Sequence, residues 1–594
     1  MTRRATREAP RKQTTNKDKK RSCEGEETVT EHPWIKSYPP GVRWDADIPL
    51  MPVQQILENS ASQWPDNPAV DFMGRKISYR ELNDLANRAA SGFQKLGVKP
   101  GVHVGLYLPN TPHYLISLFG ILKAGGTIVN YSPLDAERVL EHKVEDSETD
   151  ILVTLDLAAL YPQMGRLLGH TRLKTLVVGN LGEMSAQPDA VNAQIAATKQ
   201  LASVPTDDKH LTFQNLLDHG DTYRAYPITD LTEAIAVLQY TGGTTGLPKG
   251  AMLTHANLSA ATSQCIETTR GDPPVLAPGN ERLLAVLPPF HIYALTVNML
   301  LGIRIGAELV LHTRFDAEAI IKDIATKKIT AFPGVPTMFV AIINHPSATN
   351  ADLSSLKWCN SGGAPLPLEV QQRFEKLTGC RLAEGWGMTE TSPTGTFTPV
   401  TDRQRAGSCG VPSPGITIKL LSVDDAATYV PLGERGELCI GGANVMKGYW
   451  KNPDATSAIM TADGYMRTGD VAYMDADGYV YIVDRTKDML LCGGFNVYPR
   501  TIEEAIYTHP DVEEVSVIGI RDEYRGQSPK AFVKLKNGAA AFALDDLKTF
   551  LKDKLGKHEM IAAMEIRPEL PKTAVGKLSK KELYEEEERR AAAR

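Results

Sequence analysis

The spacing of apolar residues changes period along the chain, and each change marks an element. From Val53 to Trp64 and from Ser78 to Leu96 they recur three and four apart, the period of a helix with one buried face. Val102 to Leu108 (VHVGLYL) predicts a strand, Thr111 to Ala124 an apolar helix and Thr127 to Asn130 another strand, which together make a βαβ unit. Ile151 to Leu155 and Thr175 to Val178 add two short strands, and Ala234 to Gln239 (AIAVLQ) a buried one. Thr254 to Asn257 reads as a helix entry. Strands are predicted again at Leu283 to Leu287, Ala307 to Leu311, Ile329 to Phe332 and Leu356 to Asn360, with helices from about Ala294 and Pro367. Several of these strands run into turns rich in Gly and Pro. Ligands of α/β sheets bind beyond the carboxyl ends of strands, so those turns are expected to share one crevice.

From Gly433 the pattern shortens to strands and tight turns: Glu437 to Ile440, Gly448 to Trp450, Tyr465 to Asp470, and Gly478 to Val483. A helix from Pro499 to Tyr507, strands at Val515 to Ile520 and Ala531 to Leu535, and a helix from Asp545 to Leu555 then form a small α+β unit with its own core. The expected class is α/β, with a large N-terminal region of α/β subdomains, a β-rich subdomain and a small α+β C-terminal domain. The boundaries fall at 1–33 for a tail, 34–486 for the N-terminal domain and 487–594 for the C-terminal one.

Bulk composition narrows the class. A chain of 594 residues exceeds one core, and 42% apolar with 23% charged residues is ordinary for a globular protein. A net charge of −6 gives no sign of nucleic-acid binding. The seven cysteines form no CxxC pair, which speaks against a disulfide framework and a zinc site and for a reducing, cytoplasmic setting. The most apolar window, Tyr293 to Leu311, is interrupted by Arg304 and Glu308, so no membrane span is expected and a peripheral contact stays open. Residues 1–31 are basic first and acidic later, with too few large apolar residues for a core and no apolar signal segment.

Candidate chemistry begins at Tyr240 to Gly250, YTGGTTGLPKG. A strand running into a Gly/Thr loop and then a helix suits phosphate binding. Glycines let N–H groups converge on an anion, the hydroxyls of Thr241, Thr244 and Thr245 donate to it, and Lys249 adds charge. The spacing is not that of a P-loop, because Lys249 follows Pro248 and precedes Gly250. Glu384 to Glu390 (EGWGMTE) sets a hydroxyl, Thr389, beside a carboxylate, Glu390. A carboxylate facing phosphates needs a cation between them, so Mg²⁺ is implied if this loop joins the site. Thr468-Gly469-Asp470 places a carboxylate on a glycine turn, where it suits two ribose hydroxyls.

Taken together, YTGGTTGLPKG at 240, NSGGAPLP at 360, EGWGMTE at 384, YMRTGD at 465, DRTKDMLLCGGFNVYP at 484 and LPKTAVGKL at 570 resemble the AMP-forming acyl-CoA synthetase family. The chain looks most like the bacterial long-chain fatty-acid–CoA ligases within that adenylate-forming superfamily. The resemblance covers roughly residues 50 to 585. It implies a mobile C-terminal domain and two half-reactions. A carboxylate attacks the α-phosphorus of ATP to give acyl-AMP and pyrophosphate, and the thiol of coenzyme A then displaces AMP.

Roles follow by position. Thr241, Gly242, Gly243, Thr244, Thr245, Gly246 and Lys249 are expected at the β- and γ-phosphates. Gly363, Ala364 and Pro365 with Glu384, Gly385, Trp386 and Gly387 are expected at adenine. Thr389 should meet the phosphates, Glu390 with Thr241 the Mg²⁺, and Asp470 with Arg485 the ribose. The hinge is assigned to Lys487 and the thioester-forming segment to Gly493-Gly494. Lys577 should reach the carboxylate and α-phosphate. His291 and Gly334 are candidates for the acyl pocket. Trp386 stands where tyrosine is frequent and is expected to change little, and Cys492 replaces a frequent serine as a small buried residue. Pro571 to Lys577 also fits a pattern of reversible lysine acetylation in the family, which would make an acetyltransferase a partner. Acyl-AMP formation for a carrier protein and ligases for aromatic or dicarboxylic acids remain the alternatives.

Overall fold

The computed structural model describes residues 32–241, 248–399, 405, 407–493, 495–522, 524–572 and 578–592. An eight-stranded sheet runs, in spatial order, through Gly448–Tyr449, Gly250–Thr254, Ile235–Tyr240, Thr127–Asn130, His103–Leu106, Thr149–Leu155, Thr175–Gly179 and His210–Thr212. From Ile235–Tyr240 onward its neighbours are parallel. Parallel strands need both faces covered, and accordingly His103–Leu106 and Thr127–Asn130 are buried throughout, as is the apolar helix Pro112–Lys123 against them. The flanking helix Tyr79–Lys95 starts where Ser78 accepts from the Glu81 N–H, and it buries Leu82, Ala86, Ala89, Ala90 and Phe93 at helical spacing.

A seven-stranded sheet follows the order Leu382–Glu384, Trp358–Ser361, Ala331–Gly334, Arg282–Ala285, Glu308–Leu311, Pro68–Phe72 and Arg75–Ser78, and only the last pair is antiparallel. Its parallel strands therefore present their carboxyl ends on one side. Thr417–Leu421, Gly436–Gly441, Met466–Met474 and Val480–Arg485 form an antiparallel sheet. In the last part of the chain, the hairpin Val512–Asp522 and Gly526–Leu535 carries the helices Pro499–Tyr507 and Leu544–Leu551 over a core of Leu490, Ile502, Ile506, Val515, Val517, Val533, Leu547 and Leu551.

Three expectations are corrected. The glycine loop does not lead straight into the helix: Gly250–Thr254 first forms a strand pairing antiparallel with Ile235–Tyr240, and the helix then enters as expected, capped by Thr254 and starting at His255. The short run GAMLT pairs on both its edges. The strand expected at Ile329 to Phe332 lies at Ala331–Gly334 and runs through Pro333. The missing N–H costs little there, because pairing with Arg282–Ala285 is confined to Leu283 opposite Ala331. Asp470 sits inside the nine-residue strand Met466–Met474, opposite Arg485, rather than on a turn.

No helix among the described residues is long and apolar enough to cross a membrane. Cys265, Cys359, Cys380, Cys409, Cys439 and Cys492 are free thiols.

Candidate active site

The parallel ends of the seven-stranded sheet bring the Gly/Pro turns together, as their positions on the chain led one to expect. Gly362 N–H donates to Gly334 O at 3.1 Å, and Gly385 N–H to Ser361 O at 3.1 Å, so three successive turns are laced side by side. Tyr293, just past His291, donates through its hydroxyl to Asn360 Oδ1 at 2.7 Å. His291 Nδ1 accepts from the Tyr293 N–H at 3.3 Å. The helix expected from Ala294 is there, but Ala294–Leu300 is a π-helix, the wider winding that recurs at functional sites. Gly363, Ala364 and Pro365 continue from the Trp358–Ser361 strand, with Gly363 and Pro365 exposed.

The eight-stranded sheet supplies the opposite wall. Gln239, at the carboxyl end of Ile235–Tyr240, donates to Phe290 O at 2.6 Å and accepts from Asn130 Nδ2 at 2.9 Å. Tyr114 donates to Asn130 Oδ1 and to Pro289 O, both at 2.9 Å. These buried side chains precede the glycine loop and carry no motif. Thr241 N–H donates to Lys249 O at 2.9 Å, which closes the base of the loop. Gly242, Gly243, Thr244, Thr245 and Gly246 lie outside the described residues, as do Gly494 and Lys577.

Asp470 is the first focus of the site. Its carboxyl group is buried and accepts from Trp386 Nε1 at 2.9 Å and from Arg485 Nε at 3.0 Å. The two oxygens are divided, Oδ2 to the tryptophan and Oδ1 to the arginine. The Asp470 charge holds the Arg485 guanidinium pKa up. Trp386 thus does more than offer a face for stacking: its indole N–H, which tyrosine lacks, reaches the carboxylate assigned to ribose. The tight Glu384 to Glu390 segment needs its glycine at 387, where a Cβ would stand 1.5 Å from Pro393 O.

Glu390 is the second focus. It is buried, it follows Thr389 in the short helix Thr389–Thr391, and its Oε1 accepts from the Tyr449 hydroxyl at 2.7 Å. Lys249 Nζ lies 4.5 Å from the centre of the Tyr449 ring. A buried carboxylate with one oxygen committed to the hydroxyl of a tyrosine whose ring lies under a lysine, and acting on Arg485 through its charge, fits a divalent cation shared with phosphates. Tyr449 was not among the residues expected at the site. It stands 59 residues from Glu390, and nothing in the spacing of Gly448-Tyr449-Trp450 joins the two.

The hinge region forms a third cluster. Asp484 Oδ2 accepts from the Arg500 N–H at 2.8 Å at the start of the Pro499–Tyr507 helix, and burial pushes its carboxyl up to about 6. Lys580 Nζ pairs with Glu503 at 3.0 Å. Lys487 is exposed, and desolvation, then the neighbouring Arg485 charge, pulls its ammonium pKa down. Gly493 N–H donates to Arg525 O at 2.7 Å. Cys492 is fully buried, and burial pushes its thiol pKa up, so it behaves as the small packed residue expected.

Burial pushes the Glu384 carboxyl up to about 7, against the opposing charge of Arg500. The folded state then holds this proton more tightly than the unfolded chain, whose carboxyl titrates near 4.5. The associated stability is complete below that lower value and is lost as pH rises to about 7. Glu384→Gln is expected to raise the melting temperature at about pH 8 and barely to change it at about pH 5. Equal shifts at both pH values would remove charge as the cause.

Known proteins resemble this chain over nearly its whole length. The AMP-binding enzyme family matches residues 57–450, and the AMP-binding enzyme C-terminal domain matches residues 501–577. The Long-chain-fatty-acid–CoA ligase of Bacillus subtilis (strain 168) is 38% identical over 562 residues, covering 94% of this chain and 98% of that protein. Its namesake from Salmonella typhimurium is 37% identical, covering 93% and 98%. Among solved structures, an anthranilate CoA ligase, AuaEII, in complex with anthranoyl-AMP superposes with a TM-score of 0.79 at 25% identity, covering 92% of this chain and 99% of that one. ATP-bound MatB from Rhodopseudomonas palustris superposes at 0.78 and 25%, covering 90% and 99%. With both family regions matched in order and relatives aligned over nearly the whole chain, this protein belongs to the AMP-binding, adenylate-forming enzyme family.

Proposed function

We propose that the protein is an ATP-dependent acyl-CoA ligase acting on a fatty acid, medium to long in chain. The observation that carries this reading is the pair of clusters, Asp470 with Trp386 and Arg485, and Tyr449 with Glu390 and Lys249, on segments joined to the laced turns at Gly334, Ser361 and Gly385. Relatives named long-chain-fatty-acid–CoA ligases support the acid class.

The chemistry divides among these residues. Trp386 gives adenine a flat face and, with Arg485, fixes the Asp470 carboxylate to accept from the ribose hydroxyls. Thr241 to Lys249 holds the pyrophosphate end, and Thr389 donates to it. Glu390 would hold Mg²⁺, with Thr241 assigned beside it, and the bound cation supplies charge to the phosphate oxygens. The acid's carboxylate oxygen forms a bond to the α-phosphorus as the bond to pyrophosphate breaks, and Lys577 meets the charge that develops there. The part from about residue 487 onward then turns about Lys487, bringing the Gly493-Gly494 segment to the crevice. The coenzyme A thiol attacks the acyl carbon, loses its proton and releases AMP.

A reducing cytoplasmic setting suits the free thiols, and an acetyltransferase acting on Lys577 would silence the first step by removing its charge. Chain length follows from tunnel depth: each further buried CH₂ contributes about 0.8 kcal/mol. The deciding experiment measures AMP formed with coenzyme A across a panel of fatty, aromatic and dicarboxylic acids. AMP and acyl-CoA from the fatty acids support the reading. ADP as product, or AMP release indifferent to coenzyme A, would sink it.

A further inference from the structure

Tyr449 has no part in the scheme above, yet it touches two of its members. Its hydroxyl donates to Glu390 Oε1 at 2.7 Å in a buried contact, and the Lys249 ammonium lies 4.5 Å from the centre of its ring. One side chain thus joins the cation of the glycine loop to the carboxylate assigned to the metal.

The backbone is built to put it there. Gly448–Tyr449 pairs antiparallel with Gly250–Thr254, Tyr449 opposite Ala251, and the Trp450 N–H donates to Gly250 O at 2.7 Å. The strand that leaves the glycine loop therefore carries the tyrosine on its outer edge, two residues past Lys249. Gly448 has φ +147°, and a Cβ there would lie 2.8 Å from Thr456 Cγ2, so glycine admits the close approach. The Tyr449 N–H donates to Thr456 Oγ1 at 2.9 Å, which fixes the turn that follows. A carboxylate held through Oε1 keeps Oε2 for a cation, and a partner of this kind orients a metal ligand. A lysine over an aromatic face is steadied without an anion that would neutralise it.

We propose that Tyr449 is a positioning residue of the ATP site, whose hydroxyl aims Glu390 at the divalent cation while its ring holds Lys249 toward the phosphates. This rests on the assignment of Mg²⁺ to Glu390 made above, and the test separates the two. Binding of Mn²⁺, read by electron paramagnetic resonance, is measured on enzyme saturated with an α,β-methylene analogue of ATP. Tyr449→Phe keeps the ring and loses the hydroxyl. It is expected to weaken Mn²⁺ binding about tenfold, with ATP–pyrophosphate exchange restored by excess Mg²⁺ and the KM for ATP then unchanged. Tyr449→Leu loses the ring as well and is expected to add a rise of about threefold or more in that KM.

Glu390→Gln is measured beside them. If it weakens Mn²⁺ binding and Tyr449→Phe does not, the proposal is overturned while the metal assignment stands. If Glu390→Gln leaves Mn²⁺ binding unchanged, the metal assignment falls and the role of Tyr449 falls with it. Melting curves exclude global unfolding, and should the leucine variant fail to fold, the phenylalanine variant decides alone.

Discussion

Lys577→Ala is expected to slow acyl-AMP formation on the order of 10²-fold or more, while thioester formation from preformed acyl-AMP and coenzyme A falls far less. The attack sets one anion against another, and a fixed positive charge is needed where the new charge gathers. A unit charge at about 4 Å is worth roughly 4 kcal/mol at an effective dielectric near 20, an upper guide to the loss. Residues 573–577 lie outside the described part of the chain, but the residues on either side of them are anchored. Lys572 bridges to Leu578, Ser579 N–H donates to Pro571 O at 2.8 Å, and Lys572 pairs with Glu514 at 2.6 Å. ATP–pyrophosphate exchange reads the first half-reaction, and release of AMP from synthetic acyl-AMP reads the second. Equal loss in both would remove Lys577 from its assigned place. Protein acetylated at Lys577 should behave as the alanine variant does.

Asp470→Ala is expected to lower kcat/KM for ATP on the order of 10²-fold, mostly through KM. A hydrogen bond to a charged group contributes about 1.5–3 kcal/mol, and the carboxylate is assigned two from ribose. Its removal also leaves Trp386 Nε1 and Arg485 Nε without their acceptor. Trp386→Phe keeps a smaller stacking face and loses the N–H, so it should raise the KM for ATP by about tenfold or less. The graded pair distinguishes a carboxylate aimed at ribose from one that merely holds two strands together. If Asp470→Ala leaves the KM for ATP within about threefold, the ribose assignment is wrong.

The parallel-sheet architecture was legible because its signals are local. Thr127–Asn130 and Pro499–Tyr507 fall where the spacing of apolar residues put them. The gathering of the turns was legible too, since strands ending in Gly/Pro turns within one parallel sheet must end on the same side. The hairpin at Gly250–Thr254 escaped, because five residues of mixed character declare neither helix nor strand until a neighbour pairs with them. The strand through Pro333 escaped for a related reason: proline reads as a stop, and only the sheet shows that no bond was owed at that position.

By itself, then, the sequence determined the class of fold and the chemistry of the site. Hydrophobic period dictates helix or strand over a few residues, and glycines, hydroxyls, lysines and carboxylates in a recognisable order name the groups they can bind. The tertiary structure decided which of these groups meet. Asp470 faces Arg485 because two strands pair in one register, and Trp386 reaches it across 84 residues of chain. Tyr449 stands between Glu390 and Lys249 because an edge strand closes on the hairpin that carries the glycine loop. Such contacts depend on register and packing between distant segments, and no spacing along the chain encodes them.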